Sequence, residues 1–404
     1  MSLDLNKVVG QVDELVERLR EKGKDWNERL DTALDTLDSQ SDSLEPLKEK
    51  IQVSRGKVTW LVAGISQALN RSYPPPPPPP QFTVLATDGS HIDVDRHGPA
   101  RCYLINIGSV SLSYGPEADA TLSSQPKLYT DEEEQTLSDP KSNNEQTIEG
   151  PLLGIKRSVE EIQALLALTR EAPSDRPILA LSDGTLILWS LGGQAYPDFV
   201  REAFLEKGFL AALDSFKELN RDKKLALASY ISHPRSADVV NAVRLGLCPY
   251  YPADCDLHCS AKKLYERECD GVAGIRDRDI YRRILAPGER SPVFASLSSV
   301  VEKHYGQHKI HFFYLNIGDE LGRVEIPQWV AEDKELLDLT HALVLDQCRR
   351  GLGYPVALME AHEQAVVSTL DRERFWRMVE EGMQQSGMAP VTSAKSKSKR
   401  SRWV

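Results

Sequence analysis

The sequence contains no apolar run long enough to cross a bilayer. Its first residues, Met1-Ser-Leu-Asp-Leu-Asn6, lack the basic-then-apolar profile of a secretory signal. These two absences lead to the expectation of a cytoplasmic protein with no membrane partner. Positive charge is also in deficit: 49 Lys and Arg stand against 60 Asp and Glu, a formal net charge of −11. That argues against a protein that coats nucleic acid by bulk electrostatics, but not against an enzyme that grips it through a local basic channel. Cysteine is scarce, with six in 404 residues, which argues against a disulfide framework in a reducing compartment.

What is present divides the chain into four segments. Residues 1–73 read as a helical or coiled-coil arm. Val8, Val12, Leu15 and Leu19, then Trp26, Leu30, Ala33 and Leu37, recur at helical spacing; Ser39–Ser43 interrupts, and Leu44, Leu47 and Ile51 resume the pattern toward residue 70. An antiparallel hairpin and a short coiled coil both fit, packed on the domain or on a second subunit. Residues 74–81 hold the unbroken run Pro74–Pro80, a stiff polyproline spacer.

The third segment, 82–390, alternates strand and helix. Strands are expected at Phe82–Thr87, Arg101–Leu112, Ile178–Asp183 and Leu225–Ile231, with a hairpin at 311–326. Helices are expected near 153–170, 195–220, 238–247, 277–285, 334–350, 355–370 and 373–385. The acidic stretch 116–150 reads as a loop. Strand, helix, strand in that order predicts an α/β fold with a mixed β-sheet and flanking helices. Residues 391–404 are a basic tail (Lys395, Lys397, Lys399, Arg400, Arg402) expected to be disordered, either solubilising or in contact with phosphates.

Two stretches share one grammar. Phe82-Thr-Val-Leu-Ala-Thr-Asp88-Gly-Ser90 and Ile178-Leu-Ala-Leu-Ser-Asp183-Gly-Thr185 each end an apolar strand in a carboxylate and a glycine. Asp-Gly is a common turn dipeptide. Two such carboxylates from different strands are also the minimum needed to hold a hard divalent cation. The intervening helix adds Glu160 and Glu161. Further on, Gly353-Tyr354-Pro355-Val-Ala-Leu-Met-Glu-Ala-His362 places Pro355 at a helix start and His362 two turns later on nearly the same face.

Asp88-Gly-Ser90, a Glu-bearing helix, Asp183-Gly-Thr185 and Tyr354-Pro355…His362, in this order from about Phe82 to Leu370, resemble the NurA-domain nucleases. The resemblance implies an RNase H-like core and a catalytic Mn²⁺ site, with Mg²⁺ as the alternative ion. It also implies a homodimer that acts on DNA beside a HerA-like hexameric ATPase in end resection during double-strand break repair. The activity implied is that of a 5′–3′ exonuclease, with endonuclease activity as a second option. Asp88, Glu161, Asp183 and His362 are then the metal ligands, His362 alternatively moving a proton, and Tyr354 sits beside the scissile phosphate. Glu161 is preferred to Glu160 because Glu161-Ile-Gln-Ala-Leu165 fits the family's Glu-apolar-x-x-Leu pattern, and a shift of one residue turns a helical side chain by roughly 100°. Where many members carry a lysine near Leu225–Ile231, this chain has Ser229-Tyr230. Arg278, Arg290 and Ser291 resemble family segments and are expected to contact phosphate, unless they form ordinary ion pairs.

Cys248, Cys255, Cys259 and Cys269 depart from the family pattern. Four thiols so close could hold a structural zinc ion or an iron–sulfur cluster, or stay reduced in a Pro- and Tyr-rich loop. Two rival functions remain: a non-catalytic adaptor regulating such an ATPase, and an RNase H-like nuclease acting on RNA or hybrids.

Overall fold

The computed structural model describes residues 4–95, 100–263 and 266–388, apart from the side chains of 20–22 and 24. The tail expected to be disordered, 391–404, lies outside the described residues. The chain forms two compact units.

One unit comprises residues 76–231, 299–310 and those from 325 onward. Strand Phe82–Ile92 is buried at each of its first six residues, as a strand covered on both faces should be. It pairs antiparallel with Tyr103–Tyr114, from Phe82↔Tyr114 to Ile92↔Leu104, and Tyr103–Tyr114 pairs antiparallel with Asp119–Tyr129. On its other side it pairs in parallel with Ile178–Asp183, which pairs in parallel with Leu225–Ile231. Helix Pro151–Glu171 and the helical segments Asp198–Arg201, Glu202–Leu210 and Ala211–Leu219 lead into those two parallel strands. A three-stranded antiparallel meander extended beyond its first strand by two successive parallel crossover strands is an RNase H-like arrangement, within a mixed α/β fold.

Two expectations for this unit need correction. The acidic stretch 116–150 is not a loop, because Asp119–Tyr129 forms a strand. Ten of its eleven residues are not buried, so neither face shows the apolar alternation that marks a strand, and Pro126 is tolerated on an outer strand. The helix expected to run to Leu370 stops at Ala365. A new helix, Thr369–Gln385, begins where Ser368 and Asp371 cap each other's backbone N–H groups.

The other unit comprises residues 1–75, 232–298 and 311–324. Helix Asn6–Asp42 packs, from Leu30 onward, with Leu44–Val53, Asp238–Leu247 and Asp277–Ile284 around a shared apolar core. The helical pattern ends at Val53 rather than near 70, just before Gly56 at φ +70°. Ahead of Leu30 the long helix leaves Val9, Val12, Leu15, Val16 and Leu19 exposed. The chain therefore groups differently from the linear division 1–73, 74–81 and 82–390, since 232–298 joins the N-terminal helices. Among the described residues no helix is long and apolar enough to cross a membrane.

One glycine controls how the sheet receives its C-terminal helix. A Cβ at Gly108 would lie 2.2 Å from the Ala361 carbonyl oxygen and 2.5 Å from the Ala365 nitrogen, both backbone atoms of helix Val356–Ala365. Asn106 donates to the Gln364 and Ala365 carbonyls and ties down the end of that helix. Gly108→Ala is expected to cost about 1–3 kcal/mol, read by urea unfolding. Gly10→Ala, where nothing lies within 4 Å of the added methyl, should leave stability unchanged or raise it by up to about 1 kcal/mol.

Candidate active site

Asp88 sits inside strand Phe82–Ile92, opposite Gly108. Its Oδ1 accepts the Gly89 N–H at 2.8 Å, and its Oδ2 lies 2.7 Å from His362 Nδ1. With Asp88 ionised, the imidazole proton belongs on Nδ1, which leaves the lone pair on Nε2. Asp183 ends the neighbouring parallel strand. Gly184 beyond it takes φ +78°, a conformation glycine adopts without strain. Asp183 Oδ1 accepts the Gly184 N–H at 2.9 Å and the Tyr354 hydroxyl at 2.7 Å. Tyr354 is steadied by the edge of the buried Tyr230 ring, centroids 5.7 Å apart. Tyr230, at the end of its strand, thus packs against the site.

The Glu161 helix is held at both ends. Pro151 opens it, and Lys223 Nζ donates to the carbonyls of Thr169, Arg170 and Ala172 at its close. Thr87 donates to the Glu161 carbonyl at 2.9 Å and pins the helix to the Asp88 strand. The Glu161 side chain, only 13% exposed, fills the space above Gly89, where a Cβ would lie 2.5 Å from its Oε1. Glu160 turns elsewhere: it accepts the Tyr129 hydroxyl at 2.6 Å and lies 3.0 Å from Lys156.

Asp88, Glu161 and Asp183 line one cleft of 440 Å³ together with Arg157, Thr185 and Trp189. Burial first, opposed by Arg157 and reinforced by Asp88 and Asp183, pushes the Glu161 carboxyl up to about 8. Asp183 is open to solvent as a residue, yet its carboxyl at the cleft is also pushed upward, first by desolvation. Burial and then Asp183 raise Tyr354, which stays a phenol that donates. Arg157 Nε lies 2.9 Å from Glu161 Oε1, but neither atom makes an aligned hydrogen bond.

These observations fit a divalent cation. Hard oxygen donors from two strands and a helix face one space, and a buried Glu161 oxygen is unbonded although Arg157 lies beside it. As the side chains stand, no three His, Cys, Asp or Glu among the described residues close around a common point.

The same holds for the cysteines. Cys248, Cys255, Cys259 and Cys269 are all free thiols, and the structure does not gather them into a metal-binding set. Burial raises Cys259 and Cys269, which favours the protonated form. Arg290 and Ser291 are buried away from solvent. The Arg290 guanidinium stacks 4.1 Å from the Tyr73 ring, and Ser291 Oγ donates to the Pro292 carbonyl and accepts the Tyr314 N–H. Arg278 donates to the His233 carbonyl. Sequence reasoning missed Arg157 and Trp189; the first was findable as the residue one helical turn before Glu161.

Because Glu161 keeps its proton to about 8 when folded, against 4.5 ordinarily, the folded protein binds more protons than the unfolded chain between those values. Its contribution to stability therefore falls as pH rises through that window. Metal-free wild type compared with Glu161→Gln by urea unfolding in EDTA should lose stability relative to the variant from about pH 5 to about pH 8, by at most about 1.4 kcal/mol per pH unit. A difference independent of pH would contradict the burial of this carboxyl.

The NurA domain family profile matches residues 82–367. By structure the chain is similar to the NurA nuclease from Sulfolobus solfataricus, at 14% identity over 87% of this chain and 97% of that one, with a TM-score of 0.44. Structures of NurA bound to dAMP and manganese and of NurA with manganese match at 14% and 12% identity. They cover 81% and 71% of this chain and 91% and 86% of their own, with TM-scores of 0.35 and 0.28. No curated protein matches the chain. With its profile matched over well more than half of the residues, the chain belongs to the NurA domain family.

Proposed function

We propose that this protein is a divalent-metal-dependent deoxyribonuclease that hydrolyses phosphodiester bonds. The observation that carries the reading is the convergence of Asp88, Glu161 and Asp183 on one cleft, with Glu161 buried against Gly89. Those three carboxylates would hold Mn²⁺ or Mg²⁺, with His362 completing the set or moving a proton through Nε2. When bound, such an ion supplies Lewis acidity at a phosphoryl oxygen and neutralises charge on the leaving oxygen. The chain's own groups do the rest. Asp88 fixes the imidazole of His362. Tyr354 holds its proton toward Asp183 and orients that carboxylate. Arg157, already in the cleft, offers a guanidinium to a phosphate once Glu161 turns to the cation.

Family membership supports the wider setting: a cytoplasmic homodimer that digests DNA 5′–3′, with endonuclease activity as a second option, in end resection beside a HerA-like hexameric ATPase. The test is digestion of end-labelled single- and double-stranded DNA, RNA and hybrids with Mn²⁺, Mg²⁺ or EDTA. Wild type should cleave DNA only with a divalent ion. Asp88→Ala should lose more than the roughly 10–100-fold that removal of an outer-shell partner costs. Activity that survives Asp88→Ala would sink the mechanism. Inactivity under every condition would favour the adaptor reading, and preference for RNA or hybrids the other rival.

A further inference from the structure

The reading above does not use Trp189. Its residue is 46% exposed, and it lines the same cleft as Asp88, Glu161 and Asp183. Single exposed apolar residues are ordinary on protein surfaces, so exposure alone carries nothing. What separates Trp189 is that the turn bearing it is fixed. The carboxylate of Glu325, 1% exposed, accepts the Thr185 hydroxyl at 2.8 Å and the Leu186 N–H at 3.0 Å. The buried Tyr305 hydroxyl accepts the Leu188 N–H at 2.9 Å and donates to the Leu186 carbonyl at 3.0 Å. Beyond the 3₁₀ turn Trp189–Leu191, a Cβ at Gly192 would lie 2.5 Å from Val300 Cβ, so the turn is pressed against its neighbour. Three buried anchors thus hold a large planar side chain at the wall of the carboxylate-bearing cleft, leaving much of its surface to solvent.

We infer that Trp189 is a stacking platform for one nucleobase of the strand being cleaved, and that the nucleotide it receives is unpaired and unstacked. The inference rests on the nuclease reading and deepens it. Indole stacks on any base, because every base has a π-face, so the contact binds single-stranded nucleic acid without reading sequence. The carboxylates beside it repel phosphates, and a sequence-tolerant apolar contact gives the strand a hold that does not depend on charge. A base still inside a duplex cannot lie on Trp189, so duplex ends must fray or be opened first.

The test uses the full chain and single-stranded DNA oligonucleotides, intact or with one abasic residue placed in turn at each position near the cleaved bond. Trp189→Ala should lower kcat/KM on intact DNA roughly 5- to 100-fold, and Trp189→Phe should restore most of it. One abasic position should impair wild type by a similar factor and leave Trp189→Ala unaffected, a loss that a merely structural role for Trp189 would not produce. Trp189→Ala that cleaves like wild type, or that responds to every abasic position as wild type does, overturns the inference and leaves the nuclease reading intact. Wild type that neither cleaves nor binds the intact strand overturns both.

Discussion

A carboxylate taken out of water is unstable unless a cation or hydrogen bonds replace the water it loses, and Glu161 is such a group. Its helix is pinned to the neighbouring strand by Thr87, its side chain occupies the space that Gly89 leaves, and two further carboxylates raise rather than lower its proton affinity. Arg157 is its nearest compensation, close enough to attract and not aligned to bond. The site is thereby built around a charge deficit. Rigid backbone holds the acids near one another, and the stabilisation they lack is the kind a divalent cation provides.

Glycines set how near the pieces come. Successive residues of a strand face opposite sides of the sheet, and the Asp88 strand uses both. Gly89 admits the Glu161 side chain from the helix on one side. On the other, Gly108, directly across from Asp88, admits the backbone of the helix that carries His362. A methyl group at either place would meet a neighbour within van der Waals distance. The spacing of functional groups here is a matter of absent side chains as much as of present ones.

Much of this was legible in the sequence. The Asp183-Gly184 strand end, the stripe of Ile155, Val159, Ile162 and Leu166, and the Tyr354…His362 spacing all lie in elements of the expected kind, whereas the Asp88 strand runs on through Gly89 to Ile92 instead of ending in a turn. Spacing alone could not choose between Glu160 and Glu161, because both fall on a well-formed helix. In the structure Tyr129 and Lys156 engage the first, and Gly89 makes room for the second. Asp119–Tyr129 was hidden because a strand exposed on both faces has no alternation to read. The grouping of 232–298 with the N-terminal helices was hidden for another reason: it rests on contacts such as Asn241 Nδ2 to the Leu61 carbonyl, across separations where local pattern says nothing. The thiols lie near one another in sequence, yet as the side chains stand they form no metal-holding group.

The bond between His362 and Asp88 joins residues 274 positions apart. During synthesis the sheet residues leave the ribosome long before this histidine. At roughly 5–20 residues per second, the interval between them is on the order of tens of seconds. For that time the growing polypeptide carries its acidic residues without the imidazole or the phenol that complete the cluster. The order of translation thus brings the histidine and the tyrosine last to a cluster whose acidic residues come from much earlier in the chain.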